Sequence, residues 1–214
     1  MLFYINLILS LLNSAPANAQ NIDPVPALAS IQELQKNITE STKKTEIKIP
    51  EVPFYSQFSD IQFSEWRGKS CGVASLAMIV NFYKPSATLP QTLLEDGLAS
   101  GAYLKNAGWL HSGLINLSKQ YGLDGTSYEL SGLSKEIAFE KFKTFLKEGP
   151  VMASIFYEFD PQSPIPHLVV VSGISDGKIY YNDPAETSGG KNISIEKFLI
   201  GWKQRFIVFR PATI

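Results

Sequence analysis

Three side chains in this sequence could together perform nucleophilic acyl transfer: Cys71, His167 and Asp183. Cys71 is the only cysteine in 214 residues. It sits in "WRGKSCGVASLAMIVNFY", ahead of a run, Val73 to Phe82, that is apolar on nearly every face, as in a helix buried at the centre of a domain. With Ser70 as N-cap, Cys71 falls in the first turn, where unpaired backbone N–H groups and the helix dipole favour an anion. A free cysteine is also a good core filler, but a packing cysteine has no need of a helix start. A nucleophilic thiol needs a base, and the base needs an orienting group. The sequence has two histidines. His167 stands at the mouth of the strand-like run "HLVVVSGI", directly after Pro164 and Pro166; His111, in "GWLHSGL", lies near a helix start and reads more readily as a surface or satisfied core residue than as a catalyst. Across a tight "SDG" turn from His167, "KIYYNDP" returns an Asp at 183, which alternatively caps the turn before Pro184.

The turn decides whether His167 and Asp183 can meet. A two-residue Asp176-Gly177 loop would set Asp183 opposite Val170, on a face His167 does not share. A three-residue Ser175-Asp176-Gly177 loop with Gly177 left-handed sets it opposite Val169, on the face of His167, at a diagonal separation of about 7–8 Å that an imidazole and a carboxylate span. The three-residue loop is therefore the expectation.

These residues need a scaffold, and the order of elements supplies one. Helical patterns follow the Cys71 helix in "LPQTLLEDGLAS", in "GWLHSGLINLSKQYGL" and in "LSKEIAFEKFKTFLKEG", the last amphipathic with Ile137, Phe142, Phe145 and Leu146 on one side. After Pro150 come strand-like runs, "VMASIFYEF", "HLVVVSGI", "KIYYND" and "RFIVFR", with a helix, "SIEKFLIGWK", before the last. Helices followed by an antiparallel sheet is an α+β arrangement.

The amino-terminal 48 residues read differently. "LFYINLILSLL" is too short to span a bilayer, which takes about 20 residues, and Ala17-Asn18-Ala19 is a small-x-small pattern that ends a secretory signal. Residues 1–19 are read as a signal peptide cleaved after Ala19, although no Lys or Arg precedes the apolar run. Residues 20–48 are read as a linker or loosely attached arm with one short helix from Leu28 to Lys36, and residues 49–214 as one domain. The reading is of an extracytoplasmic, monomeric protein with no membrane span in the mature chain. A single cysteine in an exported chain makes no internal disulfide, which favours a thiol kept for reactivity or for pairing with another chain. Net charge is -1 with lysines scattered, which points away from nucleic acid as partner.

Four segments, "VPFYSQFSDIQFSEWRGKSCGVASLAMIVNFY", "GAYLKNAGWLHSGLINLSKQYGL", "GPVMASIFYEF" and "HLVVVSGISDGKIYYNDP", resemble the C39-like peptidase family of papain-fold cysteine proteases over about Val52 to Arg210. The resemblance implies a papain-like α+β fold in which an N-terminal helical half with a central Cys-bearing helix packs on an antiparallel sheet. It implies Cys71 as nucleophile, His167 as base, Asp183 as orienter and Gln57 as oxyanion donor, with Gln62 as the alternative donor. Trp66, Gly72, Trp109 and His111 complete the site as substrate contacts, Trp66 either lining the cleft or pinning its loop. The implied activity is cysteine peptidase hydrolysis of a peptide or protein substrate, without metal or cofactor. A binding module on the same fold and a thiol acyltransferase or cell-wall amidase are the rival readings.

Overall fold

The computed structural model describes residues 45–213; the expected signal peptide and nearly all of the expected arm, with its short helix, lie outside the described residues. Five α-helices and eight strands follow in chain order: α1 (Cys71–Tyr83), α2 (Pro90–Ala99), β1 (Tyr103–Leu104), β2 (Gly108–Trp109), α3 (His111–Lys119), β3 (Leu123–Glu129), α4 (Lys135–Leu146), β4 (Val151–Phe156), β5 (Pro166–Ser175), β6 (Lys178–Asn182), β7 (Lys191–Ser194), α5 (Ile195–Gly201) and β8 (Trp202–Pro211). Strands β1 and β2 form a separate small hairpin, and the other six make one antiparallel sheet in the order β3-β8-β4-β5-β6-β7.

The sheet has a core on each face. Leu168 and Val170 of β5 pack with α1, α2 and α3, while Val169 and Val171 pack with α4 and α5. Covering both faces explains why "HLVVV" reads as a continuous apolar run rather than an alternating one. Helix α1 is buried from Gly72 through Asn81, which is why its sequence shows no polar stripe. On α4 the buried residues are Ala138, Phe139, Phe142 and Leu146, and Ile137 is 56% exposed, so the inward face is turned from the one expected. Phe139 and Phe142 there meet Phe198 of α5.

Two sequence expectations change. Ile47, assigned to the arm, exchanges both backbone hydrogen bonds with Ile174 and is buried in the core. Gly173 admits it: a Cβ there would stand 2.7–2.8 Å from Ile49 and from the Lys48 and Ile47 carbonyls. The β5–β6 turn is also not the expected three-residue loop. Ser175 pairs with Lys178, so Asp176 and Gly177 alone form the turn, both left-handed at φ 51° and 70°, the backbone of a type I′ hairpin. The register is nevertheless the one His167 and Asp183 require, because β5 carries a bulge between Val171 and Gly173 that restores it: Val170 pairs with Asn182. The extra residue, Ser172, hydrogen-bonds the Tyr180 carbonyl across the pair.

A β-branched residue in the left-handed region costs about 1–2 kcal/mol. Gly177→Val should therefore lower stability by about that amount, read from the urea midpoint, whereas Asp176→Asn, a residue that tolerates this region, should leave the midpoint unchanged.

Candidate active site

Helix α1 is delivered to the site by the 3-10 turn at Ser64–Lys69. Ser70 occupies the N-cap position but does not cap the helix: its hydroxyl is buried and donates to the Trp66 carbonyl at 2.8 Å. The first-turn N–H groups are thus left without a side-chain acceptor, and the half-buried Cys71 is the first helical residue among them. One turn on, the Ser75 hydroxyl donates to the Leu168 carbonyl at 3.1 Å, tying the cysteine helix to β5 one residue from His167.

His167, 4% exposed, lines one cavity with Cys71, and its Nε2 lies 2.6 Å from Asp183 Oδ1. Burial opposes its protonation, but the bonds to Asp183 and Cys71 and their charges outweigh burial and raise the imidazole to about 10. The Tyr157 ring meets the imidazole edge-to-face at 5.2 Å. Tyr157 is placed by a sharp turn after β4 in which Glu158 and Phe159 both take φ 57°. That turn fits because Gly201 leaves room for the Phe159 backbone, which a Cβ would meet at 2.5 Å.

The run Asn182-Asp183-Pro184 holds three parts of the site. Asn182 Nδ2 donates to the Val52 carbonyl and its Oδ1 accepts from Gly190 N–H. Asp183 Oδ1 also accepts from the Ala185 N–H at 2.8 Å, so this carboxylate caps its turn and holds His167 at once. The Pro184 carbonyl accepts the Gln57 N–H at 2.7 Å. Gln57 is thereby brought to the cavity that Cys71 and His167 line, with its Oε1 buried and unpaired among the described residues. Gln62 instead is held by its backbone N–H to Gln91 and does not line the cavity.

The cavity, of about 650 Å³, also takes Trp109, His111 and Tyr157 into its walls. Gly72 and Trp66, expected as substrate contacts, lie outside the lining. Gly72 makes room for Trp109, whose Cγ would stand 2.6 Å from a Cβ there, and Trp109 Nε1 donates to the Lys69 carbonyl. Trp66 packs edge-on against Tyr103 at 4.9 Å with the Lys69 ammonium over its ring, so it pins the loop. His111 lies with Nδ1 2.7 Å from Ser127 Oγ and Nε2 3.0 Å from Ser154 Oγ. Burial first, then the Arg205 charge, lower it to about 4, and it is neutral at pH 7. Neither serine nor Tyr157 stood out in the sequence, because β3, the β4 end and the following turn converge only in the fold.

Residues 49–206 match the Peptidase_C39 like family. A comparison with curated proteins finds no match. Among solved structures, the chain is similar to a double glycine motif protease from an AMS/PCAT transporter in complex with the leader peptide, at 23% identity and TM-score 0.53 over 78% of this chain and 98% of that one. It is similar at 19% identity and TM-score 0.57 to a protein of Bacillus anthracis described as a C39-like peptidase, over 80% of this chain and 100% of that one. The peptidase domain of Streptococcus ComA, a bi-functional ABC transporter, matches at 19% identity and TM-score 0.52 over 67% of this chain and 93% of that one. The fold is that of C39 peptidase domains, a papain-like α+β fold.

The raised His167 has a signed consequence. A group whose folded pKa exceeds its unfolded 6.5 stabilises the fold fully below pH 6.5, and that contribution is lost as pH rises toward about 10. The imidazole should remain protonated at pH 8 by ¹⁵N NMR. In Asp183→Asn, which removes the first of the interactions that raise it, the imidazole should titrate at lower pH and the fall of the urea midpoint in alkali should flatten.

Proposed function

Because the chain belongs to the Peptidase_C39 like family, we propose that it is a cysteine peptidase that cleaves a peptide bond through Cys71, His167 and Asp183. The observation that carries this reading is the gathering of the three side chains at one cavity, Cys71 and His167 in its lining and the imidazole 2.6 Å from the Asp183 carboxylate. Cys71, as thiolate beside the His167 imidazolium, attacks the peptide carbonyl. The oxyanion is met by the Cys71 N–H, free at the helix start, and by the Gln57 side-chain amide. His167 gives its proton to the leaving amine, then takes one from the water that attacks the thioester, and the acid departs with Cys71 restored. Asp183 holds the ring and stabilises the imidazolium without taking the proton. Trp109 and Tyr157 form walls against which the substrate lies. The peptide seen with the AMS/PCAT protease supports a peptide as substrate here. Leu2–Leu12 and the Ala17-Asn18-Ala19 pattern support export, which predicts Gln20 as the first residue of protein sequenced from the culture medium.

The test joins thiol reactivity to cleavage. Native Cys71 should be alkylated by iodoacetamide at pH 6, and His167→Ala should abolish that labelling and lower kcat/KM on a cleaved library peptide about 10²–10⁴-fold. Gln57→Ala should cost about 10²–10³-fold in kcat. Cys71→Ala should cleave nothing. Labelling that appears only on denaturation, with no library peptide cleaved, would overturn the reading.

A further inference from the structure

The cavity wall carries a charge that the proposed chemistry does not use. Four of its lining residues are basic, Lys69, Lys105, Lys203 and Arg205, and none is Asp or Glu, although the chain as a whole has 19 basic and 20 acidic residues. Arg205 is paired with Glu129 at 2.6 Å, and Lys69, Lys105 and Lys203 make no ion pair among the described residues. The His167 charge is answered locally by Asp183 and that of Arg205 by Glu129, so the charge left over among the lining residues is that of the three lysines.

Lys203 is presented by a built irregularity. Ser154 pairs with Arg205 but Ile155 pairs with Trp202, so Lys203 and Gln204 are extra residues in β8. Gln204 takes φ 56° and sends its amide to the Leu130 and Leu133 carbonyls, while Lys203 lines the cavity with its ammonium 4.5 Å from the Phe156 ring centre. Bulges re-aim side chains in this way. Burial, and then Arg205, lower the Lys203 pKa, as expected of an ammonium short of water and of counter-charge. Ile155 pairs with His167 on one side and Trp202 on the other. Two strand spacings, about 10 Å, therefore separate the β5 backbone at His167 from the β8 backbone at Trp202, next to Lys203, the span of about three residues of extended peptide.

We infer that the wall formed by Lys105, Lys203 and Arg205 is a specificity subsite for a substrate carboxylate, the side chain of a Glu or Asp about three residues from the scissile bond. The inference rests on the peptidase reading for the word substrate, and binding and cleavage separate the two. Fluorescein-labelled, C-terminally amidated hexapeptide pools with Glu, Gln or Lys at one fixed position are titrated into the full-length Cys71→Ala variant by anisotropy, and the same pools are offered to the unmutated protein. The Glu pools should bind at least about tenfold more tightly than the Lys pools, with Gln between. That preference should shrink below about threefold in Lys105→Gln/Lys203→Gln and in about 0.5 M NaCl. Unchanged melting of the double variant shows that the loss is of charge, not of fold; if it melts early, Lys105→Gln alone, on the β1–β2 hairpin, should halve the preference or more. Equal binding of the three pools, or tighter binding of Lys pools, overturns the subsite. So does a gain seen only for pools with a free C-terminus, which would assign the wall to a terminal carboxylate. Selective binding of Glu pools with no pool cleaved would leave the subsite standing and sink the peptidase reading instead.

Discussion

The extra residue in β5 is the constraint from which the rest of the site follows. A type I′ turn suits the twist of a hairpin, yet carried straight through, its register would leave His167 and the residue after Asn182 on opposite faces. Ser172 absorbs the difference between Val171 and Gly173. Once Asp183 faces His167, its neighbours are placed as well: Asn182 holds the Val52 carbonyl, and Pro184 takes the Gln57 N–H. One register shift thus orients the imidazole and brings in the chain segment that holds Gln57. A single bulge can do this because side chains alternate across a strand, so a shift of one residue exchanges the faces.

The thiol is positioned independently and meets the histidine at the cavity that both line. Helix α1 lies against β5, and Ser75 fixes its axial position on the Leu168 carbonyl. Its rotation is set by Gly72, which lets Trp109 close against the helix, and by Ser70, which ties the helix start to Trp66. Ser70, Gly72 and Ser75 do not line the cavity, yet each limits where Cys71 can stand relative to His167. Interior packing of this kind transmits small displacements, so a loss at Gly72 or Ser75 acts on geometry first.

What the sequence disclosed was local in origin. The Cys71 helix, the α4 pattern and the β5–β6 hairpin each announce themselves within about ten residues by apolar periodicity or turn chemistry, and the placement of Cys71 at a helix start and of His167 beside Asp183 was legible for that reason. The bulge was not, since Ser172 is an ordinary strand residue and no turn signal marks it; the register was reached with the extra residue assigned to the loop. Strands β3 and β7, "LDGTSYE" and "KNIS", are sheet edges with polar sequences, and edges carry little apolar pattern to read. Trp66 and Gly72 sit so near Cys71 in sequence that the cleft seemed their natural place. Their roles in packing depend on Tyr103 and Trp109, about 30 to 40 positions away. Ile47 was missed because its partner, Ile174, lies across the domain.

The two histidines show how one fold sets opposite charge states in one cavity. Burial disfavours the imidazolium in both, and in both it is the first cause. The outcome turns on what each ring touches. His111 is offered two hydroxyls, which satisfy a neutral ring as donor and acceptor, and the nearby Arg205 repels a proton. His167 is offered the Asp183 carboxylate at 2.6 Å, which, with Cys71 nearby, reverses the effect of burial. A neutral His111 leaves the wall positive only where lysine and arginine make it so, and the cation at His167 is spent on its own partners. Charge in this cleft is therefore divided: a compensated pair, His167 with Asp183, where bonds would be made and broken, and a wall, two strands away along the sheet at Lys203, whose lysines carry no ion pair among the described residues and where a substrate could only be held.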